Sequence, residues 1–360
     1  MYSEDNYILW LNSITGIDTE KKLELIDYFG GVKNLYEADI DDINGAHILR
    51  GHGAAKIVGS HNFMDEELER LEKSPVNFIS YKDSKFPLGL HNMKSPPLGL
   101  YVWGEIPENV YPKVSIIGSR KMTSYGEKVS AMLSEELTSY GINIVSGMAY
   151  GIDTEAHKAC IKNGGKTIAV MGTGADVCYP AGNRDLRDSI IQNGCVVSEY
   201  PLGMKATRFT FPYRNRIIAC MSGVTIIVEG AEASGTLNTA NHVLDNGRKL
   251  MAVPGNIFSH YSKGTNKLIS EGCRPCLSAR DVLDELNIKI TKKEQEKNEI
   301  PDITEEELEV FKHIGYDDIT VDELCIKTKM NIDVINGILI MLELKGCITK
   351  VSGQKFVRTI

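Results

Sequence analysis

The chain has 360 residues, with 40 Lys and Arg against 48 Asp and Glu and a formal net charge of −8. That length exceeds one ordinary domain and accommodates two or three, each with its own core. Met1 to Tyr7 carries Glu4 and Asp5 with no leader-like pattern, and no later run is apolar enough to span a bilayer, so the expectation is a soluble, cytoplasmic protein with no membrane partner.

Residues 1 to about 72 read as helices joined by short polar turns. One apolar set falls at Ile8, Leu9 and Leu11, and another at Leu23, Leu25, Ile26, Tyr28 and Phe29 before Gly30-Gly31. A small helical domain over 1–75 is expected. A stretch rich in Pro and Gly follows, from Tyr81 through Pro87, Pro96-Pro97 and Trp103 to Pro112, and predicts an ordered extension wrapped onto the next domain.

From Val114 short β-branched runs alternate with amphipathic helices. The runs are Val114 to Ile117, Ile142 to Val145, Thr167 to Met171, Val196-Val197, Val224 to Val228 and Leu250 to Val253. Between the first two, Val129, Met132, Leu133 and Leu137 share one helical face, and Ser124 with Glu127 predicts a capping box. Strands apolar throughout and separated by helices imply a mostly parallel sheet covered on both faces, the α/β doubly wound class, over 76–286.

Residues 287–302 are charged and poor in apolar side chains, which predicts a linker. Beyond it, over 303–360, helical patterns start near Thr304, Thr320 and Asn331, the first two with capping boxes completed by Glu307 and Glu323. Cys347 to Val351, a Ser352-Gly353 turn and Gln354 to Arg358 predict a hairpin, completing a winged-helix outline.

Charge is unevenly spread. Residues 1–75 carry 7 basic and 15 acidic side chains, and 301–360 carry 7 and 11, but 76–280 carry 22 and 16. The middle is the part whose charge suits a polyanion. The tail is net acidic, and its second and third helices offer only Lys327, Lys329 and Lys345, which favours protein contact or a structural role over DNA binding.

In a doubly wound sheet, ligands bind beyond the carboxyl ends of the strands, where backbone N–H groups and helix N-termini meet phosphates. Candidate turns here are Gly118-Ser119-Arg120, Ser146-Gly147, Gly172-Thr173-Gly174, Ser234-Gly235-Thr236 and Pro254-Gly255. The competing explanation is that tight turns need glycine for backbone reasons alone. A second constellation lies in MKATRFTFPYRNR, with Lys205, Arg208, Phe209, Phe211, Arg214, Asn215 and Arg216 and no acid between Lys205 and Arg216. Cations interleaved with aromatics supply phosphate partners and stacking surfaces together, which is what unpaired strands require. The competing explanation is that the aromatics pack on the sheet while the arginines cap carbonyls or bridge subunits.

No catalytic set emerges. His157 reads as a packed or capping histidine on a helix with Asp153 as its N-cap, and Glu199 and Glu229 close strands without an acid–base partner. Of eight cysteines only Cys273 and Cys276 form a CxxC, with no second pair at ligand spacing, so neither metal nor cofactor is expected.

The strings VSIIGSRKMTSYG, IVSGMAYGIDTEAH, AVMGTGADVCYP, SEYPLG, FPYRNRIIA, VEGAEASGTLNTA and AVPG, in this order, resemble the signature of the DNA-processing protein A (Smf) family. The helical N-terminal part is similar to that family's SAM-like domain, and the C-terminal part to its winged helix. The resemblance implies a Rossmann-like domain that binds single-stranded DNA, commonly as a homodimer, protects incoming DNA and loads RecA recombinase during natural transformation or recombination. It implies DNA contacts at Arg120, at Arg208 and at Phe211, with approximate counterparts of two further family cations at Arg184 and Arg248. The alternative is a lysine-decarboxylase-like Rossmann enzyme hydrolysing a nucleoside monophosphate. Those enzymes carry a GGxGTxxE pattern, whereas Ser234-Gly235-Thr236 leads here to Leu237, Asn238 and Thr239.

Overall fold

The computed structural model describes residues 2–49, 51–109, 111–232, 235–288, 303–314, 319–351 and 354–358. The chain forms two compact units, Met1–Ile288 and Lys289–Ile360. Most of the expected linker, 289–302, lies outside the described residues, as do Ser234 and the Ser352-Gly353 turn.

The first unit opens with α1 (Glu4–Ser13), α2 (Thr19–Tyr28), α3 (Val32–Glu37), α4 (Ile40–Gly45), α5 (Gly53–Val58) and α6 (Phe63–Glu72). Their shared core is built on Ile8, Trp10, Leu11, Leu25, Leu35 and Ile57. Leu9 of α1 instead packs among sheet residues Tyr101, Ala169 and Val196, which joins helices and sheet in one unit.

The sheet contains β1 (Asn77–Ser80), β2 (Gly99–Gly104), β3 (Lys113–Ile117), β4 (Asn143–Ser146), β5 (Thr167–Val170), β6 (Gly194–Ser198), β7 (Val224–Ile227), β8 (Lys249–Ala252) and β9 (Arg274–Pro275). Their order is β1-β2-β6-β5-β4-β3-β7-β8-β9. From β6 to β9 neighbouring strands run parallel, and β2 joins β6 antiparallel with β1 beyond it. This is the doubly wound, mostly parallel α/β sheet expected. The Pro- and Gly-rich extension adds strand β2, between β1 and β6, as well as the short helix α7 (Leu88–His91).

Helices α8 (Ser124–Ser139), α9 (Ile152–Lys162), α10 (Arg184–Gln192), α11 (Thr210–Met221), α12 (Gly235–Asp245), α13 (Lys263–Ser270) and α14 (Ala279–Glu285) complete the unit. Alternation along the strands feeds both faces. Ile168, Val170, Cys195 and Val197 pack with Ile217 and Ile218 of α11 and Ala240 and Val243 of α12, while Ala169, Met171 and Val196 pack with Leu186 and Ile190 of α10.

Two caps differ from expectation. Thr123, not Ser124, caps α8: its Oγ1 accepts from Gly126 N at 3.2 Å, and Glu229, from beyond β7, accepts from Thr123 N at 2.9 Å and Oγ1 at 2.5 Å. A distant carboxylate thus does the work expected of Glu127, and its charge suits the positive end of α8. Gly151, with φ of +80°, is the N-cap of α9, and Asp153 lies inside the first turn, where its carboxylate accepts from Gly147 N at 3.2 Å and Ala149 N at 3.4 Å. A side chain at Gly151 would meet Ser119 O at 2.2 Å, so glycine there lets α9 start against the turn that follows β3.

The second unit has α15 (Glu305–Phe311), α16 (Val321–Thr328) and α17 (Ile332–Leu344), capped by Thr304, Thr320 and Asn331. Among its described residues, β10 (Ile319–Thr320), β11 (Ile348–Val351) and β12 (Lys355–Arg358) pair antiparallel in the order β10-β12-β11, the winged-helix arrangement. Among the described residues no helix is long and apolar enough to cross a membrane.

Candidate nucleic-acid interface

β3 is the point where the sheet reverses direction: β4, β5 and β6 lie to one side of it and β7 and β8 to the other. The crevice outside the carboxyl ends of β3 and β7 is therefore the topological switch point, the usual ligand site of such sheets. A cavity of about 870 Å³ opens there. The turn after β3 supplies Gly118, Ser119, Arg120 and Lys121, and the start of α12 supplies Gly235, Thr236, Asn238 and Thr239. The third wall is α11 with the segment before it, giving Thr207, Arg208, Phe211, Arg214, Asn215 and Ile218, and Tyr179 closes the rim.

Phe211, Arg214, Asn215 and Ile218 recur at i, i+3, i+4 and i+7, so one face of α11 lines the cavity. Phe211 lies between two of the cations. The Arg120 guanidinium lies 5.5 Å from its ring centroid and that of Arg214 lies 5.9 Å away, both within cation–π range. The Tyr179 ring is 5.2 Å from the same centroid, tilted by 39°. Gly172 backs the ring closely: a Cβ there would meet Phe211 Cδ1 at 2.8 Å.

Arg214 is buried, yet its charge is held. Its Nη1 donates to Gly147 O at 3.0 Å and to Val170 O, its Nε donates to Asn215 Oδ1 at 3.1 Å, and Asp153 lies beside it. Burial lowers its pKa to about 10, which leaves it cationic at neutral pH. Burial likewise raises the Asp153 carboxyl, opposed by Arg214 and by the Gly147 and Ala149 amides. Among the described residues lining the cavity are four cations, Arg120, Lys121, Arg208 and Arg214, and one carboxylate, that of Asp153.

The remaining sequence candidates lie elsewhere. Ser146 is buried with its hydroxyl donating to Ile116 O at 2.6 Å, and Gly147, Gly172 and Gly174 are buried because Arg214, Phe211 and the Pro201 carbonyl occupy the space a Cβ would take. These glycines serve close packing of the chain on itself, not an open phosphate cradle. Arg216 is 3% exposed, and its Nη2 donates to both Glu199 oxygens at 2.5 and 2.6 Å, on the far face of α11. Arg248 donates to Gly89 O at 2.7 Å, Arg184 is exposed at the start of α10, and Lys205 is exposed in the loop before Arg208; none of the three lines the cavity.

Two other groups are buried. Thr239 stands where the nucleotide-hydrolase pattern has its glutamate, and it is buried against the cavity. His157 is fully buried, with Nδ1 2.7 Å from Thr167 Oγ1, and desolvation lowers its pKa from 6.5 to about 3. The unfolded chain then binds more protons than the folded one between these two values. Stability is expected to be complete above pH 6.5 and to fall as the pH drops toward 3. His157→Leu should flatten that acid limb in urea titrations at several pH values, and an unchanged slope would count against the buried neutral ring.

The family model for DNA recombination-mediator protein A matches residues 77–287. The chain belongs to that family. The DprA winged helix domain model matches residues 294–354. The DNA processing protein DprA of Streptococcus pneumoniae is 36% identical over 283 residues, 78% of this chain and 98% of that protein. The Bacillus subtilis DprA is 38% identical over 212 residues, 59% of this chain and 71% of that protein. The solved S. pneumoniae DprA structure superposes with a TM-score of 0.69 at 35% identity, over 78% of this chain and 97% of that one. A solved Helicobacter pylori DNA processing protein A, described for its single-stranded DNA binding mode, has a TM-score of 0.52 at 28% identity over 59% of this chain and 96% of that one.

For this DprA-family chain, sequence reasoning passed over Lys121, Tyr179, Asn238 and Tyr261, all of which line the cavity. Lys121 was legible as the second cation of the GSRK string. Tyr179 carries no local signal, because its contact with Phe211 spans 32 positions and exists only once β5 and α11 are adjacent.

Proposed function

We propose that this chain binds single-stranded DNA in the cavity between β3 and β7, without performing chemistry on it. The observation that carries this reading is that Arg120, Lys121, Arg208 and Arg214 line one cavity with the half-buried Phe211, the guanidinium groups of Arg120 and Arg214 lying over its ring. Cations hold phosphates of any sequence, and an aromatic face accepts any base, so the pair suits unpaired strands better than duplex. The H. pylori relative's single-stranded DNA binding supports it. In the cell the chain would act in the cytoplasm as a homodimeric recombination mediator, protecting incoming DNA and loading RecA during natural transformation or recombination. A fluorescence titration with labelled oligo-dT and with a duplex of equal length, in parallel with a mass measurement by light scattering, tests this. Preference for oligo-dT by at least about tenfold and a dimer mass are expected; equal or better duplex binding would overturn the reading.

A further inference from the structure

α11 separates two cavities. Phe211 and Arg214 face the one already described, while Phe209 and Tyr213, four residues apart, face a second of about 590 Å³. That volume falls within the ~300–1,000 Å³ of small-ligand sites. The second cavity lies between the turn joining α1 to α2 and the segment after β6. Thr207, Pro212 and Asn238 border both cavities, so a single ridge divides them.

The two linings differ in charge. In the second cavity Lys22 is buried, with Nζ donating to Ile14 O at 2.6 Å, and the Glu199 carboxylate is closed by Arg216. Among the described residues lining it, neither Lys nor Arg is left open to a phosphate. Tyr200, Phe209 and Tyr213 provide flat apolar surface, and the Asn238 amide oxygen is buried with no hydrogen-bond partner among the described residues. Aromatic faces with a free amide suit a nucleobase, whereas an unpaired phosphate there would be desolvated without compensation.

We propose that the second cavity receives a nucleobase of the same DNA strand whose phosphates occupy the first, the nucleotide turning across the Thr207–Pro212 ridge. This rests on the DNA-binding reading above. Arg208 and Phe209 straddle the divide: Arg208 lines the first cavity, Phe209 lines the second and is 69% exposed, and the guanidinium lies 4.6 Å from the ring centroid. An incoming backbone and its base would therefore meet a cation and an aromatic ring that already stack on each other.

Oligo-dT with 5-iodo-2′-deoxyuridine at successive positions, irradiated on the full chain and mapped by mass spectrometry, tests the idea directly. Crosslinks to Tyr200, Phe209 or Tyr213 from some positions are expected, alongside crosslinks to Phe211 or Tyr179 from others. A second measurement uses Met204→Trp, since Met204 lines only the second cavity. With its melting temperature unchanged, this variant should bind oligo-dT about fivefold or more weakly, the loss of one stacked base. Its affinity for an abasic oligomer of equal length should stay within about twofold of the parent, because the phosphate contacts are kept. Crosslinks confined to Phe211 and Tyr179, with undiminished oligo-dT binding by Met204→Trp, would overturn the base pocket and leave the first cavity as the DNA site. Absence of any oligo-dT binding by the unaltered chain would instead remove the functional reading beneath it.

Discussion

Arg216→Ala is expected to destabilise the first unit by about 3–5 kcal/mol, because it leaves a buried carboxylate without its cation. Glu199 is 8% exposed and receives both bonds from Arg216 Nη2, and the guanidinium also lies 4.0 Å from the Tyr213 ring centroid. Lys22 is close but committed elsewhere, since its Nζ serves the Ile14 and Asn12 carbonyls. Asn12 and Thr19 tie the same glutamate to the N-terminal helices, with Asn12 Nδ2 donating to Glu199 O at 3.0 Å and Thr19 Oγ1 3.5 Å from Oε1. The loss should therefore loosen the helices from the sheet.

Urea denaturation followed by tryptophan fluorescence reports it, since Trp10 and Trp103 both belong to the first unit. The double substitution Arg216→Met with Glu199→Leu should recover most of the stability, as apolar replacements of buried pairs commonly do. A loss under about 1 kcal/mol in the single variant would mean that water or Lys22 compensates the carboxylate.

Phe211→Ala is expected to weaken oligo-dT binding by about 1–3 kcal/mol, roughly 5- to 150-fold, while Arg120→Ala and Arg208→Ala each flatten the salt dependence by about 0.7 in the log–log slope. The two effects separate because a stacked ring contributes without releasing counterions, whereas a phosphate contact releases them. In the proposed complex Arg120 would do both, since its guanidinium overlies the Phe211 ring. The double variant Arg120→Ala with Phe211→Ala should accordingly fall short of additivity. Gel shifts at two salt concentrations measure all of this, and unchanged affinity for Phe211→Ala and Arg120→Ala would remove the cavity as the DNA site. Arg216→Ala is the contrasting control: it acts on folding and should leave the salt slope as it was.

Much of the architecture was legible in the residues. The six β-branched runs from Val114 to Val253 became β3 through β8, because a strand buried on both faces reads as a near-continuous apolar run. Thr304 with Glu307 and Thr320 with Glu323 became the capping boxes of α15 and α16, because their partners are three residues apart and need nothing distant. The cap of α8 was misassigned for the opposite reason: its carboxylate partner, Glu229, comes from the segment beyond β7, about a hundred residues further along the chain.

Composition and local order alone determined that the chain carries a doubly wound sheet, that its middle is the cationic part, and that MKATRFTFPYRNR holds cations and aromatics together. Only the tertiary structure decided which of those side chains share a cavity. On α11, Arg214 and Arg216 are two residues and therefore about 200° apart, so one faces Phe211 and the other a buried glutamate. The sequence lists both as arginines of one basic stretch. Their different surroundings arise from the sheet on one side and the N-terminal helices on the other, contacts between residues far apart along the chain that no local pattern encodes.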